Sequence, residues 1–230
     1  MEIIYYGHAC FGYKTSSSQV IIDPFISGNE LAKDIDINQI KADYIFLTHA
    51  HFDHILDVET IAKNNDATIL ANAEIASHYE KLGYKVISMN IGGVKKFDFG
   101  RVKMVAAVHS SSFPDGSYGG LACGFLMKMD GKVIYHAGDT ALTMDMKLLP
   151  YVYGYIHVAV LPIGNNYTMG VYDAVAASKF VNTRNTIASH YDTFPAIRVN
   201  KDKAQHLFLS EEKHLTFLPI GGTVDVNTFV

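Results

Sequence analysis

The sequence predicts a four-layer αββα sandwich in which two similar halves pack sheet against sheet. Three observations lead there. Apolar β-branched and aromatic runs alternate with helically patterned segments in the order strands, helices, strands, helices. No linker-like or low-complexity stretch divides the 230 residues, so one domain spanning 1–230 is expected. No internal repeat of solenoid period occurs.

Residues 2–6 and 19–23 are β-branched and aromatic runs, separated in part by the polar turn 14–18. Residues 43–48 are apolar on both alternating faces, as in a strand buried on both sides. Helices are expected at 55–63 and 73–82, with Gly83 as the stop of the second. Strands follow at 85–88, 95–99 and 102–108. In the second half, 125–129 and 132–135 flank Asp130-Gly131, a two-residue hairpin signal. Residues 156–161 form an apolar strand. Val171, Ala174, Val175, Ser178 and Val181 have helical spacing. A short strand at 186–189, a helix at 200–209 and a closing strand at 214–218 complete the order.

Composition narrows the function. Hydrophobic residues are 49% and charged residues 18%, which is globular and not disordered. Lys+Arg is 19 against Asp+Glu 23, so the chain lacks the basic footprint of a dedicated nucleic-acid binder. Cys10 and Cys123 alone make no disulfide scaffold and fit no zinc-finger spacing; both read as small buried hydrophobes. No apolar run approaches the roughly 20 residues of a membrane helix. The first residues show no signal-peptide pattern, so a cytoplasmic protein is expected.

The chemistry is concentrated in Thr48-His49-Ala50-His51-Phe52-Asp53-His54, between a strand and a helix. Imidazole nitrogen and carboxylate oxygen are the donors that zinc and similar divalent ions take. From the chain's own residue frequencies the pattern His-x-His-x-Asp-His arises by chance roughly 0.002 times. One turn cannot complete two metal shells. His109, Asp139 and His190 each follow a predicted strand, where loops build sites. Any one of them alone reads as readily as an ordinary loop residue; the set is more persuasive.

Together with Asp23, the His49–His54 run, His109, Gly138-Asp139-Thr140 and His190 resemble the five ordered motifs of the metallo-β-lactamase-fold superfamily. Gly7-His8-Ala9-Cys10-Phe11, Leu161-Pro162-Ile163-Gly164 and His190-Tyr191-Asp192-Thr193-Phe194-Pro195 narrow the likeness to hydrolases related to ascorbate-6-phosphate lactonase. The resemblance implies the αββα metallo-β-lactamase fold and a binuclear metal-dependent hydrolase that attacks a small-molecule ester, lactone or phosphoester with a metal-bridging hydroxide. It assigns His49, His51 and His109 to one metal, and Asp53, His54 and His190 to the other. Asp139 would bridge the two, and Asp23 would orient the histidine-rich turn. Thr140 would support Asp139. Asp53, Asp139 and His8 are the candidate catalytic residues, Asp53 holding or shuttling the nucleophile's proton and either His8 or a metal-bound water protonating the leaving group; His8 reads equally as a plain loop histidine. Two divalent ions are implied, zinc first, with manganese, iron or nickel also compatible with nitrogen and oxygen donors. A homo-oligomer is one option the relatives offer.

The alternatives are a nuclease or phosphodiesterase on nucleic acid and a non-catalytic metal-binding scaffold. Only 51 positions separate Asp139 from His190, which leaves little room for a clamping domain. The full ligand set counts against a scaffold. Where relatives commonly carry two glycines, this chain has Gly164-Asn165-Asn166, so the pocket floor differs. Phe113, Tyr118, Tyr167, Tyr191 and Phe194 are candidate pocket walls. His136 reads equally as a support for the metals or as a buried strand residue. His78, His157, His206 and His214 read as structural or surface residues.

Overall fold

The computed structural model describes residues 1–229. It contains two seven-stranded sheets. The first runs β14-β1-β2-β3-β4-β5-β6, from β1 (Glu2–Gly7), β2 (Cys10–Lys14), β3 (Gln19–Ile22), β4 (Tyr44–Phe46), β5 (Thr68–Ala71), β6 (Val86–Ser88) and β14 (Thr223–Asp225). The second runs β13-β12-β11-β10-β9-β8-β7. Its strands are β7 (Val94–Phe97), β8 (Gly100–Ala106), β9 (Cys123–Met129), β10 (Lys132–His136), β11 (Val158–Pro162), β12 (Asn185–Ser189) and β13 (His214–Thr216). Each sheet is antiparallel in one half and parallel in the other. The switch to parallel pairing falls at β3/β4 in the first and at β10/β11 in the second. The two similar halves expected from the element order are therefore present.

The sheets meet through apolar faces. Phe46 of β4 and Phe125 of β9 lie 5.4 Å apart between ring centroids, across the two sheets. Burying a side chain of this size contributes about 1.5–3 kcal/mol. On the outer side of the first sheet, α2 (Val58–Asn65) and α3 (Ala73–Lys81) bury Val58, Ile61, Ile75 and Tyr79 with Ile21, Ile45 and Ile69. On the second sheet, α5 (Val171–Phe180) packs on β11, and α6 (Lys201–Ser210) on β13. A short α4 (Leu149–Tyr153) precedes β11.

Most expected elements appear with shifts of one to three residues at their ends. The Asp130-Gly131 hairpin forms as predicted, with Met129 paired to Lys132 and both turn residues at positive φ. The helix expected at 55–63 is broken. A turn of α1 (Phe52–Ile55) is followed by α2, because Asp57 leaves the helix to hold the amides of Ile26 and Ser27 at 2.6 and 2.9 Å, and the Ser27 hydroxyl. The strands β2 and β14 were not anticipated.

The topology positions the site. Asp23 follows β3, the 47–54 turn follows β4, His109 follows β8, Asp139 follows β10 and His190 follows β12. In sheets with parallel strands the crevice beyond the strands' carboxyl ends is the place where ligands bind.

Candidate metal centre

Two clusters of donors converge there. His49, His51 and His109 form one; His8, Asp53, His54 and His190 form the other, the ligand atoms of each lying within 4.8 Å of one another. Asp139 lies between them. Its Oδ2 is 2.9 Å from His190 Nε2, 3.4 Å from His54 Nε2 and 3.6 Å from His109 Nε2. All seven ligands expected from the sequence are thus brought together.

The supports beneath the ligands fix which nitrogen faces inward. Asp23 Oδ1 accepts the Thr48 amide at 2.8 Å. Its Oδ2 accepts the Thr48 hydroxyl at 2.5 Å and His54 Nδ1–H at 2.8 Å. With its own proton given to Asp23, the Thr48 hydroxyl accepts His49 Nδ1–H at 3.0 Å. The Nε2 atoms of His49 and His54 are therefore aimed into the cleft, as a metal ligand requires. His49 Nε2 lies 3.0 Å from His51 Nδ1, and Ser110 Oγ contacts the distal His51 Nε2 at 3.2 Å.

His8 also reaches the cluster. Its Nε2 is 2.9 Å from Asp53 Oδ2, and its Nδ1 is 3.0 Å from Thr193 Oγ1. His8 and His190 both have φ of 54°, Asp23 has 49°, and the His190 amide donates to the His8 carbonyl at 2.8 Å. Left-handed backbone at non-glycine residues concentrates at functional sites, where the surroundings hold it. Gly164 packs against the same turn: a Cβ there would lie 2.1 Å from the His190 carbonyl oxygen.

The electrostatics of the cluster suit a bound cation. Buried His54 Nε2 and Asp139 Oδ1 have no hydrogen-bond partner, although such atoms are nearly always paired. Burial alone would push the His54 imidazole down, but Asp139 and Asp23 carry it well above the usual histidine value. His49 is driven well below it by burial, with the charge near His54 adding to the effect. Burial would raise the Asp139 carboxyl, yet His190 and His54 hold it well below the carboxylate range. Asp53 is likewise held low, against its burial, by the hydrogen bond from His8. Burial, with His190 beside it, brings His8 down to about 4. The donor set and the orphaned atoms fit divalent metal.

Several expected neighbours have other places. The Thr140 hydroxyl is not hydrogen-bonded to the Asp139 carboxylate. It accepts the Val108 amide at 3.0 Å, which ties the loop of Asp139 to that of His109. Tyr191 is buried on Tyr5 and Phe217, and Phe113 stacks on His78, so neither walls the cleft. His136 bonds Tyr13 Oη at 2.8 Å between the sheets. Tyr167 and Phe194 do line the cavity over the donors, which measures about 520 Å³ and also includes Asn166 and Ser110. Thr48, Thr193 and Ser110 were not assigned roles from sequence. Short hydroxyl residues carry no periodic signal, and only adjacency to a histidine motif marks them. A larger groove of about 920 Å³ lies between α5 and α6; no cluster of metal-donor side chains among the described residues falls in it.

This architecture and donor set define a metallo-hydrolase of the β-lactamase type, and comparison with known proteins agrees. The β-lactamase superfamily domain matches residues 18–191. The chain is 52% identical over 227 residues to a UPF0173 metal-dependent hydrolase of Christiangramia forsetii, covering 98% of this chain and all of the relative. It is equally identical over 226 residues to one of Flavobacterium johnsoniae, again covering 98% and 100%. Among solved structures, Igni18, a metallo hydrolase of the archaeon Ignicoccus hospitalis, superposes with a TM-score of 0.87 at 32% identity, covering 97% of each chain. The chain belongs to the β-lactamase superfamily and, within it, to the UPF0173 metal-dependent hydrolase family. Among the described residues no helix is long and apolar enough to cross a membrane.

Proposed function

We propose that the chain is a binuclear hydrolase of small-molecule esters, lactones or phosphoesters. The observation that carries this reading is the position of Asp139 Oδ2, within 3.6 Å of histidines from both clusters. His49, His51 and His109 would hold one divalent ion, and Asp53, His54 and His190 the other, with Asp139 within reach of both groups. Zinc leads, and manganese, iron and nickel suit the same donors. Bound ions supply an activated water near neutral pH and offset charge that develops on the substrate.

The residues of the chain do the rest. Asp53 is held by His8 and lines the cavity over the donors, so its carboxylate would take up or hold the proton of an activated water. His8, buried and hydrogen-bonded to Asp53 and Thr193, would hold that carboxylate in place and pass a proton toward the leaving group through Asp53. Asp23 and Thr48 keep one imidazole of each cluster in its ligand tautomer. The lactonase-like motifs around His8, Gly164 and His190 favour a lactone or another carbonyl substrate within this range.

The test joins metal analysis of the protein as purified to turnover of lactone, carboxylic ester, thioester and phosphodiester panels, with and without chelator. Two metal equivalents and chelator-sensitive hydrolysis are expected. His51→Ala should lose both activity and metal. Full metal occupancy without turnover on any class would replace the enzyme with a scaffold.

A further inference from the structure

The cavity over the donors has a chemical character of its own. Besides the metal-donor residues it is lined by Ser110, Asn166, Tyr167 and Phe194. None of the chain's 19 lysines and arginines lies in that lining. The charged side chains that do line it, apart from the histidines, are the carboxylates of Asp53 and Asp139.

The wall is fixed, not loose. Phe194 packs edge-on against His8 at 5.4 Å and lies tilted on Phe25 at 6.4 Å, and Phe25 meets Phe52 at 5.6 Å. Phe194 therefore forms the wall on the His8 side, backed by buried Phe25. The 164–170 loop is fastened at two points. The Met169 amide bonds the Thr140 carbonyl at 3.0 Å, and Gly164 abuts the His190 carbonyl. Within that loop Asn165 and Asn166 both adopt left-handed backbone, φ 61° and 60°, which asparagine tolerates better than most residues. Asn166 and Tyr167 are thereby presented to the cavity from a loop clamped beside both Asp139 and His190. Ser110 is engaged with His51, which leaves Asn166 as the amide available to a substrate.

From this lining we infer that the site selects an uncharged carboxylic ester or lactone, with its apolar part on Phe194 and a polar group at Asn166. The inference rests on the hydrolase reading and narrows it. A phosphate or carboxylate elsewhere on the substrate would find no cationic side chain in the lining. It would lose solvation without a partner, or be drawn to the ions in place of the reacting carbonyl.

The test uses matched 4-nitrophenyl esters: the mono-ester of succinate, which carries a free carboxylate, and its methyl ester, which has nearly the same shape and no charge. Metal-loaded protein should turn over the neutral twin with a kcat at least tenfold higher. Tyr167→Lys places a cation in the same wall without the backbone strain of a lysine at Asn166, and should narrow that ratio about tenfold. Phe194→Ala should raise KM for the neutral ester while bound metal stays unchanged. A second readout needs no turnover. Calorimetry on the metal-free protein with the corresponding non-hydrolysable anilides should show binding of the neutral one alone, lost in Phe194→Ala. Equal or faster turnover of the anionic ester, or equal binding of both anilides, overturns the substrate inference and leaves the hydrolase reading standing. No turnover of either ester or of the wider panel, with metal bound, removes the hydrolase reading and this inference with it.

Discussion

Asp23 Oδ2 accepts a hydrogen bond from His54 Nδ1 at 2.8 Å, and through the Thr48 hydroxyl the same oxygen also orients His49. One buried carboxylate therefore governs an imidazole in each of the two donor clusters. Asp23→Asn keeps the shape and tolerates the left-handed backbone at φ 49°, but its amide offers a donor where an acceptor is needed. Metal affinity, measured by competition with a chromophoric chelator, should fall about 10–100-fold, with both equivalents affected. Loss confined to one equivalent, or none, would contradict the shared-support argument.

Gly164 makes a second, steric prediction. A Cβ at this position would sit 2.1 Å from the His190 carbonyl oxygen and 2.9 Å from Ile197 Cβ. Gly164→Ala must displace either the His190 turn or the 164–170 loop. Thermal unfolding should show destabilisation of about 1–3 kcal/mol, and metal binding should weaken because His190 moves with its backbone. An unchanged melting temperature would mean that the contact relaxes freely.

The ligand set was legible because imidazoles at strand ends are chemically conspicuous. His49, His51, Asp53 and His54 fall in one turn, and each remote donor follows an apolar run. The fold was legible from the alternation of strand and helix patterns, and the hairpin from Asp130-Gly131. What failed to show was set by tertiary contact. Cys10–Lys14 forms a strand because Phe11 and Tyr13 are buried between the sheets, although Gly12 interrupts its pattern. Thr223–Asp225 pairs with β1 across almost the whole chain, and nothing local marks three polar-flanked residues as a strand. Asp57 reads as a helix residue, yet its carboxylate is used on Ile26 and Ser27. Tyr191 lies beside a ligand in sequence but turns away onto Tyr5, since neighbouring residues on a bend point in different directions.

His54 leads to a prediction about protons. Between Asp139 and Asp23 its imidazole, despite its burial, is raised well above the usual histidine value in the metal-free protein. A proton there supplies part of the positive charge that the carboxylates require. A cation coordinating Nε2 must displace it. Metal loading near pH 7 should therefore release a proton, visible as a dependence of calorimetric enthalpy on the buffer's ionisation heat. His54→Asn should reduce that release. Loading with no buffer dependence would remove His54 as the proton carrier.

His136, which feels Asp23, His54 and Asp139 but takes no part in holding metal, sets a pH dependence of stability. It is buried between the sheets against Tyr13, and burial brings its imidazole down to about 4. In the unfolded chain the same group titrates near 6.5. Between those values the unfolded state binds the extra proton, so its contribution is fully present above about pH 6.5 and is lost as pH falls toward 4. The full span amounts to roughly 3 kcal/mol. Denaturant unfolding of the metal-free protein at pH 7 and pH 4.5 should show a stability loss that is smaller in His136→Gln than in the parent chain. Using metal-free protein keeps ligand protonation during metal release out of the comparison, and the other buried histidines are common to both chains. If the two pH dependences coincide, His136 must already accept its proton in the folded state, and the Tyr13 contact would then have to be rebuilt around an imidazolium.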